Sequence, residues 1–303
     1  MYICLNFPSG IFAWDGKGSI LMSEKENKPS IIQAVLFVKD KEYVTPHYIR
    51  VTLTGEDILK FKDTTIGVNN KIFIPPAGID QVHFPAYDVQ TNEWIHPPEE
   101  VKPFVRTYTH RAFDLEKKEM VIDFVAHGDS GPASAWAIAA KPGDALGVAM
   151  KDKNNTLYPK ADWYLLVADG TGIPVLAAIL ESLPAEAKGI AHIEVQDKAD
   201  LQHLIAPEGI QINWLYNEHP GTGTLLSDAV KHTVIPEDHL TTRFGYVAAE
   251  FTAVKNIRDY LRKDKGWERE ELYAYAYWKL GVSEDGSVKD RQLEQREQIS
   301  TPG

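Results

Sequence analysis

From Ile31 the apolar positions come in short runs that alternate with polar ones, the period of strands with one buried face. Ile31 to Val38 and His47 to Leu53 predict two strands of an antiparallel meander, separated by a turn over Lys39 to Glu42 and by Thr45-Pro46. Lys71 to Ile74 predicts a short strand stopped by Pro75-Pro76. Val105 to Phe113 and Met120 to Ala126 predict a hairpin closed by the charged turn Asp114 to Glu119. An alanine-rich helix over Pro132 to Ala140 then ends at Pro142-Gly143.

Beyond residue 160 the rhythm changes. Strands over Trp163 to Ala168, Ile190 to Gln196, Gln211 to Tyr216, Phe244 to Ala248 and Leu272 to Tyr277 alternate with helices over Pro174 to Leu183, Leu225 to His232 and Ala253 to Lys263. Such alternation predicts a parallel sheet with helices on both faces and ligands at the carboxyl ends of the strands. The fold class is therefore β followed by α/β. An antiparallel β-barrel over 31–155 precedes a doubly wound parallel-sheet domain over 156–282, with the division in the polar segment Lys151 to Ala161. Residues 283–303 read as a polar tail, and residues 1–30 as an N-terminal extension whose first 21 residues suggest an upstream start.

Composition narrows the function. With 43 acidic against 32 basic residues, the 303-residue chain carries a formal charge of −11, which excludes nucleic acid and anionic lipid as expected partners. No run approaches the 18 to 20 apolar residues that a membrane helix needs, so no membrane partner is expected. A single cysteine, Cys4, rules out an intramolecular disulfide and a four-thiolate metal site, and fits the cytoplasm. The histidines show no metal-ligand spacing, Asp129 and Asp169 no carboxylate-pair spacing and the serines no nucleophile elbow, so no metal is expected and the common hydrolase scheme is disfavoured.

Two stretches carry chemistry. In Arg106-Thr107-Tyr108-Thr109-His110-Arg111, strand alternation puts Arg106, Tyr108 and His110 on one face and Thr107, Thr109 and Arg111 on the other. A flat aromatic, a hydroxyl and two guanidiniums suit a flavin, which needs a stacking partner, a hydrogen bond at its ring and cations for its diphosphate. His127-Gly128-Asp129-Ser130-Gly131-Pro132-Ala133-Ser134 then leads a strand into a helix, whose first N–H groups can receive a diphosphate. Taken singly, His127 reads as a structural histidine; the two stretches in sequence are much less common.

These motifs, with "KPGD", "LLVADGTGIPVLAAILESLP", "GYVAAEFTAVKNIRDYL" and "YAYAYWKLG", resemble the siderophore-interacting protein family of FAD-dependent ferric-siderophore reductases, relatives of the ferredoxin-reductase superfamily. The resemblance spans roughly Ile31 to Gly281. It implies Arg106, Tyr108 and Thr109 around the isoalloxazine and diphosphate, with Arg111, His127, Ala133, Ser134 and Trp136 completing the FAD site. Many members read Gly-Asp-Glu-Thr-Ala-Leu-Pro where this chain has Ala168-Asp169-Gly170-Thr171-Gly172-Ile173-Pro174. Asp169, Thr171 and Gly172 are the positions expected at a nicotinamide dinucleotide, in a motif too short for the full glycine fingerprint. The donor stays open among NADH, NADPH and ferredoxin, the acidic chain slightly favouring a nicotinamide.

Lys71, Lys151 and Lys279 fall where the resemblance places basic substrate-binding residues. They suit an anionic ferric catecholate siderophore, while a hydroxamate would need less positive charge. Trp267, Tyr273, Tyr275 and Tyr277 read as core aromatics, Trp278 excepted. The expected activity is transfer of electrons through FAD to an iron(III) siderophore by a cytoplasmic monomer, releasing iron(II). A general flavin reductase serving a protein or free flavin and a non-catalytic siderophore-binding module are the competing classes.

Overall fold

The computed structural model describes residues 30–129, 131–238 and 240–282, together with the backbone of two short paired strands at 13–14 and 20–21. The readings of the N-terminal extension and of the C-terminal tail concern residues outside those described.

Beside a separate small hairpin of Ala86–Asp88 and Glu93–Ile95, the first half is built on one seven-stranded antiparallel sheet. Its strands are β1 (Ile31–Thr45), β2 (Tyr48–Thr54), β3 (Asn69–Ile74), β4 (Phe104–Thr109), β5 (Ala112–Asp114), β6 (Glu119–Val125) and, after helix α1 (Pro132–Ala139), β7 (Ala145–Lys151). They run in the order β4-β3-β7-β1-β2-β6-β5, and the sheet curls until β6 approaches β4. Leu36, Ile49, Val51, Ile72, Ile122, Phe124, Leu146 and Val148 are fully buried inside the curl, and α1 closes one end with Ala133, Ala137 and Ala140. Each buried aliphatic contributes roughly 1.5–3 kcal/mol relative to exposure.

Two expectations are corrected here. No turn interrupts residues 39–42: β1 runs on to Thr45, and bulges near Lys39 and Val44 absorb the extra residues while Asp40 to Glu42 pair with Thr52 to Arg50. Pairing with β2 overrides the local polarity, and the turn falls at Pro46-His47 instead. The strand read over Val105 to Phe113 is two strands, because the chain leaves the β3 ladder after Thr109 and pairs anew with β6 at Ala112. The central strand β7, between β1 and β3, was not foreseen: Gly147 interrupts its apolar run, and a Cβ there would approach Val82 and Phe73 within 2.6–2.8 Å.

The second half is a five-stranded parallel sheet in the order β10-β9-β8-β11-β12. The strands are β8 (Trp163–Ala168), β9 (Gly189–Val195), β10 (Ile210–Tyr216), β11 (Arg243–Glu250) and β12 (Leu272–Trp278), and the helices α2 (Ile173–Ser182), α3 (Leu225–Lys231) and α4 (Phe251–Asp259). Tyr164, Leu166 and Ala168 of β8 face the layer that holds α2, and Leu165 and Val167 the layer of α3 and α4. Burial on both faces explains the unbroken apolar run. Strand order reverses between β8 and β11, so the crevice beyond their carboxyl ends is the place for a ligand.

Candidate functional site

A cleft of about 750 Å³ opens between the halves, bounded by β3, β4 and the loop before α1 on one side and by the carboxyl ends of β8, β9 and β12 on the other. Its volume lies within the range of small-molecule and cofactor sites.

The β4 wall is set by its ladder with β3, which places Lys71 opposite Thr107 and Asn69 opposite Thr109. Lys71 donates to the Thr107 hydroxyl on the outer face. On the inner face Tyr108 rests against Phe124, ring centroids 4.5 Å apart, and Phe124 rests against Trp136 at 5.6 Å. Arg106, Tyr108 and Thr109 line the cleft; Trp136 does not, and supports the wall from behind. Alternation lapses after Thr109. His110 is wholly buried against Phe113, and burial drives its pKa down to about 4, so it stays neutral. Arg111 lies outside the cleft lining and pairs with Glu181 of α2 at 2.5 and 3.0 Å.

The loop before α1 forms a cradle. The buried Ser134 hydroxyl accepts from the His127 N–H at 3.1 Å and donates to the Gly128 carbonyl at 2.6 Å, stapling the loop to the helix. His127 lies so close over Gly131 that a Cβ there would come within 2.9 Å of the imidazole. Ala133 and Ser134 stand in the first turn of α1, where backbone N–H groups have no intrahelical acceptor. Opposite them Tyr48, 4% exposed, lines the cleft with a hydroxyl that has no hydrogen-bond partner. A buried, unpaired hydroxyl beside a helix start and a stacked tyrosine fits a flavin dinucleotide, because such a ligand supplies the missing acceptor. Sequence reading passed over Tyr48, which looks like an ordinary strand residue until the second half folds against it.

On the α/β side Asp169 is a structural node. Its carboxylate accepts from the Thr171 N–H at 2.8 Å, the Glu250 N–H at 2.8 Å and the Trp278 indole N–H at 2.7 Å, crossing the point where strand order reverses. Burial raises its pKa. Asp169 and Thr171 line the cleft, whereas Gly172 is a packing glycine, since a Cβ there would lie 2.2 Å from the Ala248 carbonyl oxygen.

Glu194, at the end of β9, accepts from the Asn217 amide at 3.1 Å and lines the same cleft. Burial, with Asp169 and Glu250 nearby, pushes its pKa up to about 7 from an ordinary 4.5. The native state therefore holds a proton that the unfolded chain has lost, and stability falls as pH rises from about 4.5 through 7. Glu194→Gln is expected to raise Tm at pH 8 by roughly 2–4 °C and leave it unchanged at pH 4.5, read by calorimetry at both values. An equal shift at both would show that the carboxylate does not titrate there.

The cations are unevenly placed. Lys71, Arg106 and Lys279 line the cleft, Lys279 with its ammonium 4.7 Å above the Phe251 ring. Lys151, exposed at the end of β7, lies outside it. Of the aromatics read as core, Trp267 is 3% exposed, but Tyr275 and Tyr277 line the cleft and Tyr273 is 39% exposed.

At the far edge of the cleft Asp200 accepts from the Thr45 hydroxyl at 3.0 Å and the His47 N–H at 3.1 Å, and it pairs with His47 Nδ1 at 2.9 Å. His47, Asp197 and Asp200 thus gather from distant parts of the chain, but both Asp200 oxygens are committed to these bonds and to the Asp197 N–H. This cluster latches the β1–β2 turn to the α/β half.

Two family profiles match: the siderophore-interacting FAD-binding domain over residues 37–151 and the siderophore-interacting protein over residues 161–281. Over 253 residues the chain is 32% identical to ferric vibriobactin reductase ViuB of Vibrio cholerae, covering 84% of this chain and 92% of that one. It is 30% identical to the NADPH-dependent ferric-chelate reductase of Escherichia coli over 78% of this chain and 89% of that protein. A siderophore utilization protein from T. fusca superposes with a TM-score of 0.75 at 33% identity, covering 84% of this chain and 95% of the other. Phthalate dioxygenase reductase, at 14% identity and a TM-score of 0.55, shares the fold. Among the described residues no helix is long and apolar enough to cross a membrane.

Proposed function

The chain belongs to the siderophore-interacting protein family, and on that premise we propose that it is a cytoplasmic, monomeric ferric-siderophore reductase, with an FAD domain over 31–155 and a reductant-binding domain over 156–282. The observation that carries the reading is the meeting, in one open cleft, of the Tyr108–Thr109 wall, the α1 cradle and the cations Lys71 and Lys279. The named activities of the Vibrio and Escherichia relatives support it.

When bound, FAD supplies the redox chemistry, accepting two electrons as hydride and passing them on singly. The protein's part is positioning. Tyr108, braced by Phe124, would offer a flat face to the flavin ring, and Thr109, on the same wall, a hydroxyl. The N–H groups of Ala133 and Ser134 and the Arg106 guanidinium would hold the FAD diphosphate. Tyr48 would give the cofactor a hydrogen bond from a hydroxyl that has no partner within the protein. Asp169 and Thr171 mark the side from which a nicotinamide approaches, with NADH, NADPH and ferredoxin all candidates as donor.

Lys71 and Lys279 hold an anionic iron(III) catecholate at the mouth, with Lys151 a more distant contributor. Oxygen-rich chelators hold hard iron(III) far more tightly than iron(II), so one electron loosens the metal without cleavage of the ligand. No side chain acts as an acid or base.

The test is the visible spectrum of the anaerobic, photoreduced protein as a ferric catecholate is added beside an iron(II) chelator. Return of oxidised-flavin bands with iron(II)-chelate colour is expected. A protein that binds no flavin, or whose reduced flavin ignores the chelate while reducing free flavin, would overturn the proposal.

A further inference from the structure

The tyrosines of β12 do more than fill space. Tyr273, Tyr275 and Tyr277 alternate along one face of an edge strand, with centroids 6.3 Å apart between the first pair and 6.2 Å between the second. Tyr273 and Tyr275 are near parallel, at 23° between planes. The buried Tyr246 stacks on Tyr273 at 4.6 Å and 27°, fixing the outermost ring from the next strand. Helices α3 and α4 cover the opposite face of these strands; on the tyrosine face Tyr277 packs into the α2-side core, Tyr275 is half-buried at the cleft and Tyr273 is exposed among the described residues. Tyr277 is engaged in packing, but Tyr273 and Tyr275 present two near-parallel rings toward solvent and the cleft, a surface that suits a partner with flat faces of its own.

Charge says what kind. In a chain of net charge −11, the cleft into which the stripe leads is lined by Lys71, Arg106 and Lys279, while its carboxyl groups are engaged within the protein, Asp123 with Arg50, Asp200 with Thr45 and His47, Asp169 with Thr171, Glu250 and Trp278, and Glu194 with Asn217. An occupant complementary to both features is anionic and carries several aryl rings. A hydroxamate chelate lacks the rings, and a citrate-type chelate has the charge without them.

We propose that Tyr273 and Tyr275 form a stacking platform for the aryl arms of an iron(III) catecholate, making the β12 stripe a determinant of the chelate class accepted. The proposal rests on the ferric-chelate reductase reading above. Strand geometry spaces alternate side chains by about 6.6 Å, so the platform offers its rings at fixed steps from the mouth outward.

The experiment uses gallium(III) in place of iron, which separates binding from turnover. A gallium tris-catecholate and gallium citrate are titrated into the FAD-loaded wild type and into Tyr273→Ala, Tyr275→Ala, Tyr273→Phe and Tyr275→Phe, with flavin fluorescence as readout and the flavin absorption band reporting an intact fold. Each alanine variant is expected to raise Kd for the catecholate about three- to tenfold with citrate unchanged, and each phenylalanine variant to stay within about twofold of wild type. Alanine variants that bind the catecholate like wild type, or that lose both chelates equally, would overturn the platform alone. A wild type that binds neither chelate would overturn the platform together with the functional reading beneath it.

Discussion

Gly172→Ala is expected to lower Tm by roughly 6–12 °C, the loss that about 3 kcal/mol produces in a domain of this size. The new Cβ would stand 2.2 Å from the Ala248 carbonyl oxygen and 2.9 Å from the Ala168 Cβ, so backbone and not a pliant side chain must move. Helix α2 starts at this residue and its inner face is buried from Ile173 to Leu180; displacing it opens the layer between α2 and β8. Thermal unfolding followed by circular dichroism, with cofactor saturating, is the measurement. A variant of wild-type Tm that binds nicotinamide dinucleotides more weakly would return Gly172 to the binding loop that its motif suggests.

The second large effect concerns charge. The double variant Lys71→Ala/Lys279→Ala is expected to raise KM for an anionic ferric catecholate roughly tenfold to thirtyfold, the loss of two charge-assisted contacts at a partly exposed site. Reduction of a small artificial acceptor by the same protein should keep its kcat, because both truncations leave the β3–β4 backbone ladder, the Tyr108–Phe124 packing and the Ser134 staple in place. The wild-type affinity should also fall with added salt more steeply than that of the double variant. An unchanged KM would remove the cationic mouth from the proposal.

Much of the α/β half was legible because its central strands are buried on both faces: the run from Trp163 to Ala168 has one reading, and the structure starts and ends the strand there. The antiparallel half was harder. Strand β1 passes through a polar stretch that only its neighbour β2 makes extended, and β7 hides behind Gly147. At the site, motif order led to the cleft, but strand alternation could not foresee that the ladder ends at Thr109, which buries His110 and turns Arg111 toward Glu181. Tyr48 and Glu194 carried no local signal, since each acquires its character from elements far away in the chain. The stripe on β12 was visible as alternating tyrosines, but whether an alternating face is covered depends on where the helices pack.

The Asp200 latch bears on what the cleft can admit. Two halves joined across a modest interface are ordinarily expected to hinge, and many enzymes close a lid before reaction. Here the β1–β2 turn is pinned to Asp200 at one side of the cleft, while Arg111 grips Glu181 in a second tie between the halves. Opening the mouth would have to break the Asp200 bonds as well as the Arg111–Glu181 pair. On the proposed function, these ties oppose a wide opening motion, so a bulky chelate would have to fit the cleft at the width that the structure shows.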